Sequence, residues 1–151
     1  MMTVCLRYAR NRADAEDILQ DGFVRLFQHI NQFKFQGSFE GWVRRIFVNA
    51  ALKKYQAKKW QNEQTAIDEV AESSVQSDVL SRMSEQEILN LVTQLPEGYR
   101  IVFNMYVIEG YAHKEIAEQL GIHEATSRTQ LLKARKHLQI QIGKMMMSYE
   151  S

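Results

Sequence analysis

Scarcity is the first information in this chain of 151 residues: one cysteine, one proline, seven glycines and a net charge of only +1. A lone Cys5 excludes an intrachain disulfide and cannot by itself build a zinc site of the usual Cys/His kind, which points to a reducing interior. The absence of any long uncharged apolar run excludes a membrane-spanning helix. Met1 to Tyr8 lacks the apolar core and small-residue cleavage site of a secretory signal, so a cytoplasmic location is expected. So little Gly and Pro, with 45% hydrophobic and 25% charged residues, is a globular composition rather than a disordered, collagenous or repeat one. No internal repeat and no low-complexity tract interrupts it. The length suits one ordinary domain or two very small ones. A domain of about 60 residues buries only about 60% of its unfolded surface, so small units with thin cores would lean on partners.

The near-neutral charge is a cancellation. Residues 1–60 hold 11 Lys/Arg against 5 Asp/Glu, residues 61–95 hold 1 against 7, and residues 96–151 hold 7 against 6. Within these blocks, 41–59 carries six cations and no acid, and 125–149 carries five and no acid. Two basic strips flanking an acidic middle suggest a polyanionic partner.

The apolar spacing predicts an all-α protein. Ile18, Leu19, Gly22, Phe23, Leu26, Phe27 and Ile30 recur at three- and four-residue steps, as do Phe39, Trp42, Val43, Ile46, Phe47 and Ala50, so each set makes one helix face. Gln32 to Ser38, broken at Gly37, joins them. The stretch 61–80 loses periodicity and is acidic and polar, reading as a flexible linker. Ser84-Glu85-Gln86-Glu87 has the form of a capping box and opens a second helical unit. Leu95-Pro96 ends one helix and starts another, whose apolar face is Tyr99, Val102, Phe103, Tyr106 and Val107, with Gly110 as its stop. A short helix from His113 to Leu120, a turn at Gly121 and a longer helix from about Glu124 to about Ile142 complete the chain. The organisation expected is therefore a helical domain at 1–60, a linker at 61–80 and a second helical domain at 81–151.

Three constellations carry chemistry. From His113 to Leu138, Ala117, Gly121 and the trio Ile116, Leu120 and Ile122 fill the small, turn and apolar slots of a helix-turn-helix. Thr126, Ser127, Arg128, Thr129 and Gln130 then open a helix with groups that reach base edges, and Lys133, Arg135 and Lys136 suit phosphates. Alone, the motif says only that DNA is read. The second constellation is Phe33, Lys34, Phe35, Gln36, Gly37 and Ser38, followed by Arg45, Asn49, Lys53 and Gln56 on one flank of the next helix. Aromatics beside cations are what unpaired bases and a backbone require, although Phe39 and Trp42, on the apolar stripe, read first as core. The third is Asp14-Ala15-Glu16-Asp17 with Gln20 and Asp21. The helix dipole accounts for Asp14 and Glu16, whereas Asp17, Gln20 and Asp21 form a polar patch that a basic protein surface can use.

Taken together, DAEDILQDGF (14–23), the spacing of Phe33, Phe39 and Trp42, RRIFVNAAL (44–52) and LPEGYRIVFNMYVIEGYAHKEIAEQLGIHEATSRTQLLKARKHL (95–138) resemble the extracytoplasmic-function sigma factors of bacteria. The resemblance spans nearly the whole chain in the family's order. It implies a transcription initiation subunit that binds core RNA polymerase, reads the -10 and -35 promoter elements and helps open the duplex. By resemblance, Asp17, Gln20 and Asp21 dock on the clamp coiled coil of the polymerase β′ subunit. Phe33 to Phe39 looks like the loop that captures a flipped base of the -10 element, with Arg45, Asn49 and Lys53 alongside. Arg128, Thr129, Leu132 and Lys133 fall where the family's recognition helix meets the -35 element, with Thr126, Ser127, Arg135 and Lys136 around them. The β flap is implied as a contact of the second unit, and an anti-sigma factor is a further partner to consider. No cofactor or metal is implied. The chain departs from the family pattern at Ala125 and Ser127, where Gly and an aliphatic residue are common, and at Gln56, where a basic residue is common. The family usually has a further helix ahead of the position of Met1, so the first core is expected to be open on that side.

Two rival classes remain to be weighed. His29, His113, His123 and His137 are scattered, and neither HExxH nor a Gly-rich phosphate loop or nucleophile motif occurs, which argues against an enzyme. A helix-turn-helix repressor or activator would use a dimer on a palindrome, whereas two different basic units in one chain suit an asymmetric bipartite site.

Overall fold

In the computed structural model the structure describes residues 1–59 and 82–150, and every regular element among them is helical. They fall into two compact units, residues 1–59 in the first and 82–150 in the second; the stretch 61–80, read as a linker, lies outside the described residues.

The first unit has three helices, α1 (Met2–Tyr8), α2 (Arg12–His29) and α3 (Phe39–Lys59), with a single 3-10 turn at Ile30–Gln32. Asn11 caps α2, its side-chain oxygen accepting from the Asp14 N–H at 2.9 Å, which satisfies one of the orphan donors of the first turn. All three helices pack on one another around Val4, Cys5, Tyr8, Ala15, Ile18, Val43, Phe47, Val48 and Leu52. Burial pushes the Cys5 thiol up, so it behaves as a small apolar packing group.

The closest approach in this unit is at Gly22, where the buried Phe47 ring occupies the space a Cβ would need. Phe23 meets the same ring edge-on at 5.2 Å. The apolar face read along α2 is thus a core face through Ile18 and Gly22. Beyond that point it diverges from expectation: Phe27 is 73% exposed, and Phe23 and Ile30 are exposed with it. Helical spacing identifies a stripe but not how far a partner helix covers it.

The second unit holds α4 (Glu85–Thr93), α5 (Glu97–Phe103), a π-helical segment (Asn104–Ile108), α6 (His113–Leu120) and α7 (Glu124–Glu150). The capping box is present in full: Ser84 Oγ accepts from the Glu87 N–H at 3.2 Å and the Glu87 carboxylate accepts from the Ser84 N–H at 2.8 Å. Pro96 stands at the N-cap of α5. The Arg100 guanidinium, 3% exposed, donates to the Leu95 and Thr93 carbonyls at 3.3 and 3.4 Å and so ties the turn between α4 and α5. Val92, Leu95 and Ala134 form a core on which Tyr99, Phe103 and Leu138 pack.

The π segment changes the face read for α5. Its extra residue per turn turns the chain about the helix axis, burying Asn104 and Met105 and leaving Tyr106 and Val107 exposed instead of in the core. Downstream, Gly121 takes φ +67, and the Ile122 N–H returns to the Ala117 carbonyl at 3.1 Å. The αL position that a helix-turn-helix requires is therefore filled by the residue that adopts it without strain. The last helix runs on past the predicted end near Ile142 to Glu150.

Gly22→Ala should destabilise the first unit by about 1–3 kcal/mol, because the Phe47 ring is walled in and cannot retreat without opening the core. Thermal melting followed by circular dichroism, compared with Ala substitution at exposed Gly41, checks this; equal melting of the two variants would show that the α2–α3 contact tolerates a methyl group.

Candidate nucleic-acid and polymerase interface

On the first unit the loop between α2 and α3 is organised by rings. Phe33 sits centrally, with Phe35 at 5.1 Å, Phe39 at 5.3 Å and Trp42 at 5.3 Å between centroids, and Phe39 stacks on Trp42 at 5.9 Å. Offset and edge contacts of this kind add to area burial. Ser38 closes the loop by capping α3, its Oγ accepting from the Gly41 N–H at 3.2 Å. The rings do not join the main core: Phe39 is 49% exposed and Trp42 is only partly buried, which corrects their reading as core residues. Phe35 is 89% exposed and holds φ +56, an αL backbone unusual for a bulky residue. Lys34, Gln36, Gly37 and Ser38 are exposed around it.

Along α3, Arg45, Asn49 and Lys53 follow at four-residue intervals and all are exposed, so they form one basic-polar flank leading away from the aromatic loop. Lys54 points elsewhere. Its ammonium donates to Asp17 at 3.1 Å and pairs with Asp14 at 3.2 Å, bridging α3 to α2. Partial burial pulls the Lys54 pKa down, but hydrogen bonds to Asp17 and Asp14 and their negative charge outweigh this and hold it above the usual lysine value. Asp17, Gln20 and Asp21 are exposed and line one shallow depression with Arg25, Lys53 and Lys54.

On the second unit, α7 presents Arg128, Thr129, Leu132 and Arg135 to solvent, with Thr126, Lys133 and Lys136 half-buried beside them. Leu132 is 55% exposed, an apolar group set among cations. The Arg128 guanidinium is held by the Glu124 carboxylate at 3.0 Å, and the Thr129 hydroxyl donates to the Ala125 carbonyl at 3.0 Å. Ser127 corrects the sequence reading: it is 0% exposed, and its Oγ lies 2.8 Å from His113 Nδ1, so it faces the supporting helix and has no path to a base edge. Helical geometry explains this, since Ser127, Leu131 and Ala134 share the inward stripe. The His113 ring stacks on Tyr106 at 4.3 Å and 17°. Burial, then the neighbouring Arg128 charge and to a lesser degree Arg135, lower the His113 pKa, with Glu124 opposing.

Comparison with known proteins matches each unit separately. Residues 1–61 match the model for Sigma-70 region 2, and residues 85–138 match that for Sigma-70, region 4. The chain is 28% identical over 155 residues to the ECF RNA polymerase sigma factor SigW of Bacillus subtilis, covering 92% of this chain and 81% of that one. It is 25% identical over 149 residues to the ECF RNA polymerase sigma-E factor of Haemophilus influenzae, covering 90% and 78%. Among solved structures, the sigma factor RpoE of Bartonella quintana, in complex with the anti-sigma factor NepR, has the same fold, with a TM-score of 0.56 at 18% identity over 95% of this chain and 89% of that one.

The chain is an extracytoplasmic-function sigma factor. It serves RNA polymerase in transcription initiation, and its partners are the core enzyme and promoter DNA. Within the sigma factor, three participants escaped sequence reading. Lys54 lies 37 residues from Asp17, and no spacing rule links them. His113 and Tyr106 read as a helix start and a core position, whereas α6–α7 packing brings His113 to Ser127 and the Tyr106 ring stacks on His113.

If the exposed patch of Asp17, Gln20 and Asp21 docks on core polymerase, Asp21→Lys should weaken co-purification roughly tenfold while leaving thermal melting unchanged. Asp17→Lys should weaken it as well, and should also lower the melting temperature slightly, since it breaks the ion pair with Lys54. Unaltered association of Asp21→Lys with the core enzyme would remove this patch from the docking surface.

Proposed function

We propose that the two units divide promoter recognition between them, the first (within residues 1–60) holding core polymerase and the -10 element and the second (within residues 81–151) the -35 element. The observation that carries this is the solvent-facing aromatic loop of Phe33, Phe35, Phe39 and Trp42, continuous in the same unit with the basic flank and quite different from the exposed face of α7. Rings that pack on each other rather than in a core offer stacking faces to an extruded base, and Arg45, Asn49 and Lys53 offer contacts to the strand that carries it.

In the second unit, Arg128 is suited to a guanine edge, with Glu124 orienting the guanidinium in the free protein. Leu132 suits a thymine methyl, and Thr126, Thr129, Lys133, Arg135 and Lys136 suit neighbouring edges and phosphates. Asp17, Gln20 and Asp21 dock on the β′ clamp, and the β flap packs on the second unit. The exposed apolar residues Phe23, Val24, Phe27 and Ile30 supply a face for polymerase or for an anti-sigma factor of the kind bound by the Bartonella quintana neighbour. The chain acts in the cytoplasm as a non-catalytic specificity subunit; none of its helices described is long and apolar enough to cross a membrane.

The test separates reading from opening. Phe35→Ala or Lys34→Ala should slow strand separation with upstream binding intact, since the loop acts only after unpairing, which costs a few kcal/mol. Arg128→Ala should lose about 1–3 kcal/mol of discrimination at one upstream base pair, whereas Lys133→Ala should weaken all sequences alike and reduce the salt dependence. Run-off transcription on closed and pre-opened -10 bubble templates should rescue the loop variants and not Arg128→Ala. Equal rescue of both classes, or of neither, would make the loop a connector only.

A further inference from the structure

The buried Ser127 and the half-buried His113 form a polar contact between the two helices of the helix-turn-helix, near the start of α7. A 0%-exposed hydroxyl has few partners to choose from. Its own N–H already goes to the His123 carbonyl at 3.1 Å, one turn back, and its Oγ lies 2.8 Å from His113 Nδ1. The imidazole is clamped on its other side by the Tyr106 ring, which the π segment carries out of the core. Three elements therefore converge on one ring.

We propose that His113 is a positioning residue for promoter recognition: held between Tyr106 and Ser127 as a neutral ring, it sets the angle at which α7 meets DNA, and its protonation releases that helix. The proposal rests on α7 being the helix that reads upstream DNA. In the neutral ring protonated on Nε2, Nδ1 accepts the Ser127 hydroxyl proton. Protonation makes Nδ1 a donor and reverses the bond. The Ser127 hydroxyl can accept as well as donate, so the cost of protonation lies in the charge that it places on the ring between the two helices. The new cation faces Arg128 and Arg135 from α7, with Glu124 as the opposing charge, and Glu124 is already paired to Arg128. From the π segment the group facing the ring is Tyr106. On the ring's own helix, Lys114 is exposed, and the Glu115 carboxylate accepts the Ala112 N–H at 3.2 Å.

The sign of the effect follows. A histidine that folding holds below its ordinary value contributes stability that is present in full above that value and is lost as pH falls through the folded one. Recognition tied to the neutral ring should thus weaken in acid. This is opposite to the general trend, because imidazoles that gain charge elsewhere on a DNA-binding surface strengthen attraction to phosphate.

The experiment uses holoenzyme assembled from the full chain and core polymerase, with a promoter duplex recovered by selection from a randomised library as probe. Its affinity is compared with that of the same duplex with a scrambled upstream element. For the wild type, preference for the intact element should fall about fivefold from about pH 7.5 to about pH 5.5, whereas His113→Gln, which keeps an acceptor and cannot titrate, should change by less than about twofold. The paired variant His113→Phe with Ser127→Val, which replaces the polar contact by an apolar one, should be equally flat. Thermal melting at each pH establishes that the variants and the wild type remain folded. A wild-type profile that is flat or rises in acid, or variants that follow the wild-type profile, would overturn the proposal. Equal affinity for intact and scrambled duplexes at about pH 7.5 would instead remove upstream reading itself, an outcome visible before any pH dependence is measured.

Discussion

The missing Cβ at Gly22 governs the first unit. With nothing there but backbone, the Phe47 ring seats against α2, and α2 and α3 approach closely enough for the Lys54 ammonium to reach both Asp14 and Asp17. That approach sets the acidic patch on α2 next to the basic flank of α3, so that Asp21 and Lys53 line the same depression. Surfaces suited to opposite partners, a protein that presents cations and a nucleic acid that presents phosphates, thus lie side by side on one small helical frame. Asp17, Asp21 and Lys53 stay exposed, and the partly buried Lys54 meets its desolvation cost with two carboxylate partners.

A thin core shapes the rest of the molecule. Each helix buries one narrow stripe, and aromatic side chains left over from the stripes pack on each other in the open, as Phe33, Phe39 and Trp42 do. Such rings are already desolvated on one face and keep the other available. The αL backbone of the 89%-exposed Phe35 belongs to the same arrangement, since strain without burial in return persists only where neighbouring contacts dictate the loop path.

In the second unit the corresponding device is polar. Buried polar groups carry a penalty unless satisfied, so a His–Ser contact between helices ties their relative placement to a single geometry more strictly than an apolar contact of equal size. The π segment adds to it by leaving Tyr106 exposed, where its ring stacks on His113.

Periodicity and turn chemistry determined much of this protein without any tertiary information. Residue spacing of three and four defined the helices, Ser84 and Glu87 defined a helix start, and Gly121 defined the turn of the helix-turn-helix, because each acts through bonds to residues within one helical turn. Order along one helix also relates Arg128, Thr129, Leu132 and Arg135, all of which are exposed. What lay beyond reach was decided by contacts across the fold. Phe39 and Trp42 share an apolar stripe with the buried Val43 and Phe47 yet are exposed and half-buried, Ser127 adjoins the exposed Arg128 yet turns inward, and Lys54 finds Asp17 across 37 residues. A one-dimensional pattern states that a face is apolar or charged; only the packing of another helix decides which part of it is covered, and a single π turn is enough to rotate that choice.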